Sequence, residues 1–123
     1  MSKHKGDLLR MMAKAETIKQ ADLARKLRQV QDETNRIAEQ AGSLERLLDE
    51  HRLAAPGSQT TAQLANVMRV GHQLESHRKT LTSQMKQSEH RLNRARTALA
   101  HSGHKLDILS EKARIAKQQT ENE

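Results

Sequence analysis

The stretch "HRLAAPGSQTTAQL", residues 51 to 64, holds the only proline of the chain and one of its five glycines, in surroundings otherwise written for helix. Proline cannot continue a helix, and glycine adopts turn conformations closed to other residues. The run "AAPGS" therefore ends one helix near Leu53. Thr60 stands three residues before Gln63, the spacing of a capping box, immediately ahead of Leu64, and so opens the next. The chain divides into helix one, about 7–53, a turn over 54–59, and helix two, about 60–118.

Outward from this stop, both arms carry heptads. Leu23, Leu27, Val30, Thr34, Ile37, Ala41, Leu44, Leu48 and His51 follow alternating steps of four and three. From Leu64 the steps resume through Val67, Gly71, Leu74, Arg78, Leu81, Met85, Ser88, Leu92, Ala95, Leu99, Ser102, Leu106, Leu109, Ala113 and Ala116. A short connection between long helices favours antiparallel neighbours. The fold expected is all-α, a single domain over 1–123 forming an elongated antiparallel two-helix coiled-coil hairpin. Aligning the two seams pairs Leu48 with Val67, Leu44 with Gly71, Ala41 with Leu74, Thr34 with Leu81, Val30 with Met85 and Leu23 with Leu92, centred on Gly57 and Ser58.

Toward the N-terminus the pattern loses its apolar content. Glu16 and Gln20 fall on the seam, while the apolar residues present are Leu8, Met11, Met12, Ala15 and Ile18. This predicts a stutter near 18–22. The same alignment sets Leu9 against Leu106 and leaves most of 115–123 beyond its partner, open to fraying. Layers containing Thr34, Arg78, Ser88 or Ser102 weaken a core that is already thin.

The composition agrees with helices rather than a globule. There is no Phe, Tyr, Trp or Cys and only 34% of residues are apolar, so the aromatic area that dominates compact cores is missing. Without cysteine no disulfide or thiolate metal site forms, which fits a reducing compartment. No apolar run approaches the roughly 18 residues of a membrane span, and no signal-peptide block follows the basic start. A cytoplasmic protein is expected.

No phosphate-binding glycine loop, nucleophile elbow or paired-carboxylate pocket is present, and two helices enclose no cavity in which pKa values are tuned. The reading is non-enzymatic, with no cofactor. His101 and His104 in "HSGHK" share a helix face but lack a third ligand there, so no metal site is expected. Affinity for polyanions at low salt follows from the basic character, whereas specific nucleic-acid recognition is not expected, because no aromatic side chain is available for stacking.

The formal charge of +7 is unevenly placed. Residues 1–31 carry eight Lys/Arg against three acids and 84–106 carry five against one, whereas 32–83 carry six against seven. Folding back brings the two basic blocks together, gathering Arg10, Lys14, Lys19, Arg25, Lys26, Arg28, Lys86, Arg91, Arg94, Arg96 and Lys105 in the half that bears the termini. One molecule then presents two electrostatically different halves, as a connector between two partners would.

With a basic polar start, a hairpin of two long helices and the second helix outlasting the first, the chain resembles the FliJ family, the small coiled-coil component of the bacterial flagellar type III export apparatus. The most local part of the resemblance is "HQLESHRKTLTSQMKQSEHRLNRARTAL", residues 72–99, similar to the family's Gln- and Arg-rich second helix with its His-Arg pair. The resemblance implies a central stalk whose terminal half engages the hexameric export ATPase, while the other region binds the cytoplasmic domain of the export gate and the protein also handles export chaperones. It also implies a place at the inner membrane held only through partners. The family's gate surface on helix one, a Gln-Leu-aromatic-aromatic pattern at steps of four, three and four, is met here by Gln40, Leu44, Leu47 and His51, and on helix two by Val70, Gln73 and His77. The aromatics are absent. Arg10, Lys14, Arg91, Arg94 and Arg96 are the residues expected to meet acidic groups of the ATPase ring.

Three other readings stay open on the residues alone: a generic coiled-coil adaptor, the related stalk of virulence type III secretion, and a basic nucleic-acid-binding hairpin. An exposed heptad face can also pair with a second copy.

Overall fold

The computed structural model describes residues 2–53 and 60–122. It contains two α-helices, α1 (Ser2–Leu53) and α2 (Thr61–Glu121), packed against each other as an all-α two-helix hairpin. Helix α1 begins at Ser2, ahead of the start near residue 7 read from the sequence, and α2 runs to Glu121, past 118. The turn assigned to 54–59, with the alignment centre at Gly57 and Ser58, lies outside the described residues.

Local chemistry sets the helix limits. The Thr60 backbone N–H donates to Gln63 Oε1 at 3.0 Å and the Gln63 N–H donates to Thr60 Oγ1 at 3.2 Å, the reciprocal pair of a capping box. The last turn of α1 carries His51 and Arg52, where positive charge complements the carbonyl end of a helix.

The hairpin contains two compact units, residues 1–30 with 92–123 and residues 31–91. Each buries or half-buries most of the expected seam positions, Leu64 at 51% exposure being one that stays outside. In the 31–91 unit, Ile37, Leu44, Leu48 and Leu81 are buried together and Leu74 and Met85 pack against them. Full burial of such side chains stabilises by about 1.5–3 kcal/mol apiece. Arg78, although on the seam, stays exposed and swings out to Glu45, at 2.8 Å, and to Glu75.

The pairing differs from the alignment drawn from the sequence by one heptad. Thr34 faces Ser88 and shares a hydroxyl–hydroxyl hydrogen bond with it, where Leu81 was expected. His51 lies beside Gly71, the residue expected opposite Leu44. In the unit of 1–30 and 92–123, Gly6 approaches Ala116: a Cβ added at Gly6 would stand 3.8 Å from that of Ala116. Ala116 is buried accordingly, so residues around it are covered by α1 and do not project beyond their partner.

The stutter near 18–22 is also absent. Gly6, Glu16, Leu23 and the positions between them at steps of three and four form an unbroken seam, with Glu16 buried at 6% exposure and Leu8, Met11, Met12 and Ile18 left outside. A physical reason for the register is polar pairing: in the expected alignment Thr34 would face Leu81. Buried polar groups without partners cost about 1–3 kcal/mol each. The observed register sets Thr34 against Ser88 and leaves Glu16 within reach of Ser102, one turn along α2.

Candidate functional site

Four of the seven residues assigned to a gate-binding surface meet in one groove. Gln40, Leu44, Leu47 and His77, with Arg36, Glu39 and Ser43, line an open groove of about 470 Å³ between α1 and α2 in the 31–91 unit. The helical repeat explains the assembly. Arg36, Gln40, Ser43 and Leu47 follow steps of four, three and four and so share one face of α1, while Leu44 closes the floor. Leu44 is 4% exposed and Leu47 51% exposed. Core packing accounts for Leu44; Leu47 is the large apolar side chain that the groove leaves exposed.

The other three assigned residues lie elsewhere. His51 packs over Gly71, with its Nε2 3.0 Å from where a Cβ would be. Gln73 lines a second groove, on α2, with Ala65, Met68, Arg69, His72 and Ser76. Val70 is half-buried and lines neither groove. Arg36, Glu39 and Ser43 were missed in the sequence: steps of three and four put Arg36 and Ser43 on one face with Gln40 and Leu47, but nothing local brings that face, or Glu39, beside His77. They give the groove a charged rim around an apolar floor, a surface suited to an amphipathic segment.

The arginines and lysine assigned to the ATPase contact divide as well. Arg91 belongs to the 31–91 unit and donates to Glu33 Oε1 across the helices at 2.9 Å. Arg10 is paired with Asp7 one turn away. Lys14, Arg94 and Arg96 make no ion pair among the described residues and remain exposed. These three are the cations free to meet an acidic partner.

The two units differ in charge. Counted over the sequence, 1–30 with 92–123 carries fourteen Lys/Arg against seven Asp/Glu, and 31–91 carries eight against eight. The whole formal excess of +7 resides in the first unit. Within it, Ser102 Oγ donates to Glu16 Oε1 at 2.6 Å and Lys105 Nζ lies 3.7 Å from Oε2. The Ser102 hydrogen bond holds the Glu16 carboxyl below its ordinary value; Lys105 and Lys19 add to this and burial opposes it.

Among the described residues no group of three or more His, Cys, Asp or Glu is placed to hold a metal ion, and no helix is long and apolar enough to cross a membrane. What fold and surface define together is a two-helix hairpin with one basic unit and one neutral, grooved unit. No family model, curated protein or solved structure matches the chain.

Proposed function

We propose that the chain is a non-enzymatic connector of the bacterial flagellar protein export apparatus, a stalk-like partner of the hexameric export ATPase that couples it to the export gate and to export chaperones. The observation that carries this reading is the coincidence of charge with packing: one compact unit holds the entire positive excess and the other is neutral. A basic unit suits a seat lined with acidic groups, where complementary charge raises association rate and fixes orientation. In it, Lys14, Arg94 and Arg96 meet the ATPase ring. The neutral unit presents the groove of Gln40, Leu44, Leu47 and His77 to the gate. Such a connector works in the cytoplasm, peripheral to the inner membrane.

The test is ATP hydrolysis by the purified export ATPase with and without this protein, read beside size-exclusion chromatography. Stimulated hydrolysis together with a hexameric peak supports the stalk. No change in either refutes it and favours a generic adaptor.

A further inference from the structure

Helix α1 carries a second apolar stripe that the seam does not use. Leu8, Met11, Met12, Ala15 and Ile18 are separated by steps of three and four with one adjacent pair, so they fall along a single face. That face is turned away from α2: Leu8, Met11, Met12 and Ile18 are 58%, 67%, 44% and 72% exposed. In the same unit α2 exposes Ile108 and Ile115, each 42%. Monomeric soluble proteins scatter such residues singly; a run of five over three turns marks a contact surface.

The charges around it say what covers it. Lys5 and Lys19 lie along the Met12 edge of the stripe on the helical wheel, Lys14 lies beyond the other together with Asp7, which is paired to Arg10, and the unit holds the whole excess of +7. A second copy of the chain would bring like charge against like. A ridge of aliphatic side chains, two of them flexible methionines, flanked by lysines long enough to keep their ammonium groups in a headgroup layer, fits a deformable anionic surface. We infer that this face of α1 binds directly to anionic phospholipid bilayers, lying in the interface with Leu8, Met11, Met12 and Ile18 inserted among acyl chains and the flanking lysines against lipid phosphates. The inference is independent of the export-ATPase reading, in which the protein reaches the membrane only through partners.

The test uses the full chain in vesicle flotation, with an about equal mixture of phosphatidylcholine and phosphatidylglycerol against phosphatidylcholine alone, at about 0.1 M and about 1 M salt, where the screening length falls from roughly 10 Å to 3 Å. Flotation with the anionic vesicles at the lower salt, and not with the neutral ones, is expected. The double substitution Met11→Ser and Ile18→Ser should lower the bound fraction about tenfold, with helix content by circular dichroism unchanged because both side chains lie outside the seam. Absence from the anionic vesicles overturns the inference. So does equal binding by the double variant, which would reduce the contact to charge alone. Loss of ATPase association by that variant with vesicle binding intact would assign the stripe to a protein partner instead.

Discussion

Glu16 of α1 accepts a hydrogen bond from Ser102 of α2 at 2.6 Å, inside the seam, with both side chains nearly closed to solvent. A carboxylate in so thin a core is tolerated because Ser102 supplies the donor and Lys105 and Lys19 supply charge. The layer of Thr34 and Ser88 is what separates the two registers, since Glu16 stands opposite a leucine in either, Leu99 or Leu106. A single polar layer fixes alignment in this way in other coiled coils.

Glu16 makes the hairpin acid-sensitive. Its folded-state pKa lies below the ordinary carboxylate value of 4.5, so its contribution is fully present above that value and is lost as pH falls through the lowered one. Asp22, held down by hydrogen bonds from Lys26 and Arg25, and Glu111, held down by Arg114, act in the same direction. Thermal melts followed by circular dichroism should show Tm falling below pH 4.5, and the fall should be smaller in Glu16→Gln.

The register is open to direct chemical reading. Thr34→Cys combined with Ser88→Cys should form a disulfide on mild oxidation, since these side chains already touch. Thr34→Cys with Leu81→Cys should not, because the partner lies one heptad away, beyond the roughly 7 Å Cα separation that a disulfide spans. Electrophoresis of oxidised and reduced samples distinguishes the two.

Leu47 and Leu48 are neighbours with opposite roles. Leu48→Ala, at 2% exposure, should lower stability by about 2–4 kcal/mol through lost burial and a cavity. Leu47→Ala should alter it by less than about 0.5 kcal/mol, as for ordinary surface positions. Combined with His77→Ala, which lines the same groove, it should, under the function proposed above, impair binding to an export gate with helicity intact. Unchanged affinity in a titration would remove the groove from the gate contact.

Charge reversal at Lys14, Arg94 and Arg96 should weaken association with the export ATPase, and more so at low salt than at high. Arg91→Glu should act chiefly on the hairpin, through the lost pair with Glu33. Both partners of that pair are well exposed, so the change in stability stays within about 1 kcal/mol. Equal ATPase binding at both salts would argue against electrostatic seating.

Two glycines separate helix propensity from packing. At Gly42 an added Cβ meets nothing within 4 Å, so Gly42→Ala should stabilise by about 0.5–1 kcal/mol. At Gly71 the same methyl would stand 3.0 Å from His51 Nε2, and the ring must shift before the propensity gain is realised. Gly71→Ala should therefore gain less, by denaturant titration.

The end of helix one near Leu53, the capping box of Thr60 and Gln63, most seam positions of both helices from Leu23 onward and the uneven charge were legible in the sequence. Each depends on residues within a few positions of one another, where proline geometry, capping spacing and a seven-residue period act locally. The tertiary structure alone decided which heptad meets which, since a repeating pattern aligns equally well after a slip of seven. It selected the register that unites Thr34 with Ser88 and Glu16 with Ser102, closing the seam through Glu16 where the sequence suggested a stutter. The groove's charged rim, Arg36 and Glu39, was hidden for the same reason. Those side chains share a site with His77 only once α2 is set against α1, and hydrogen bonding between residues far apart in the chain sets it.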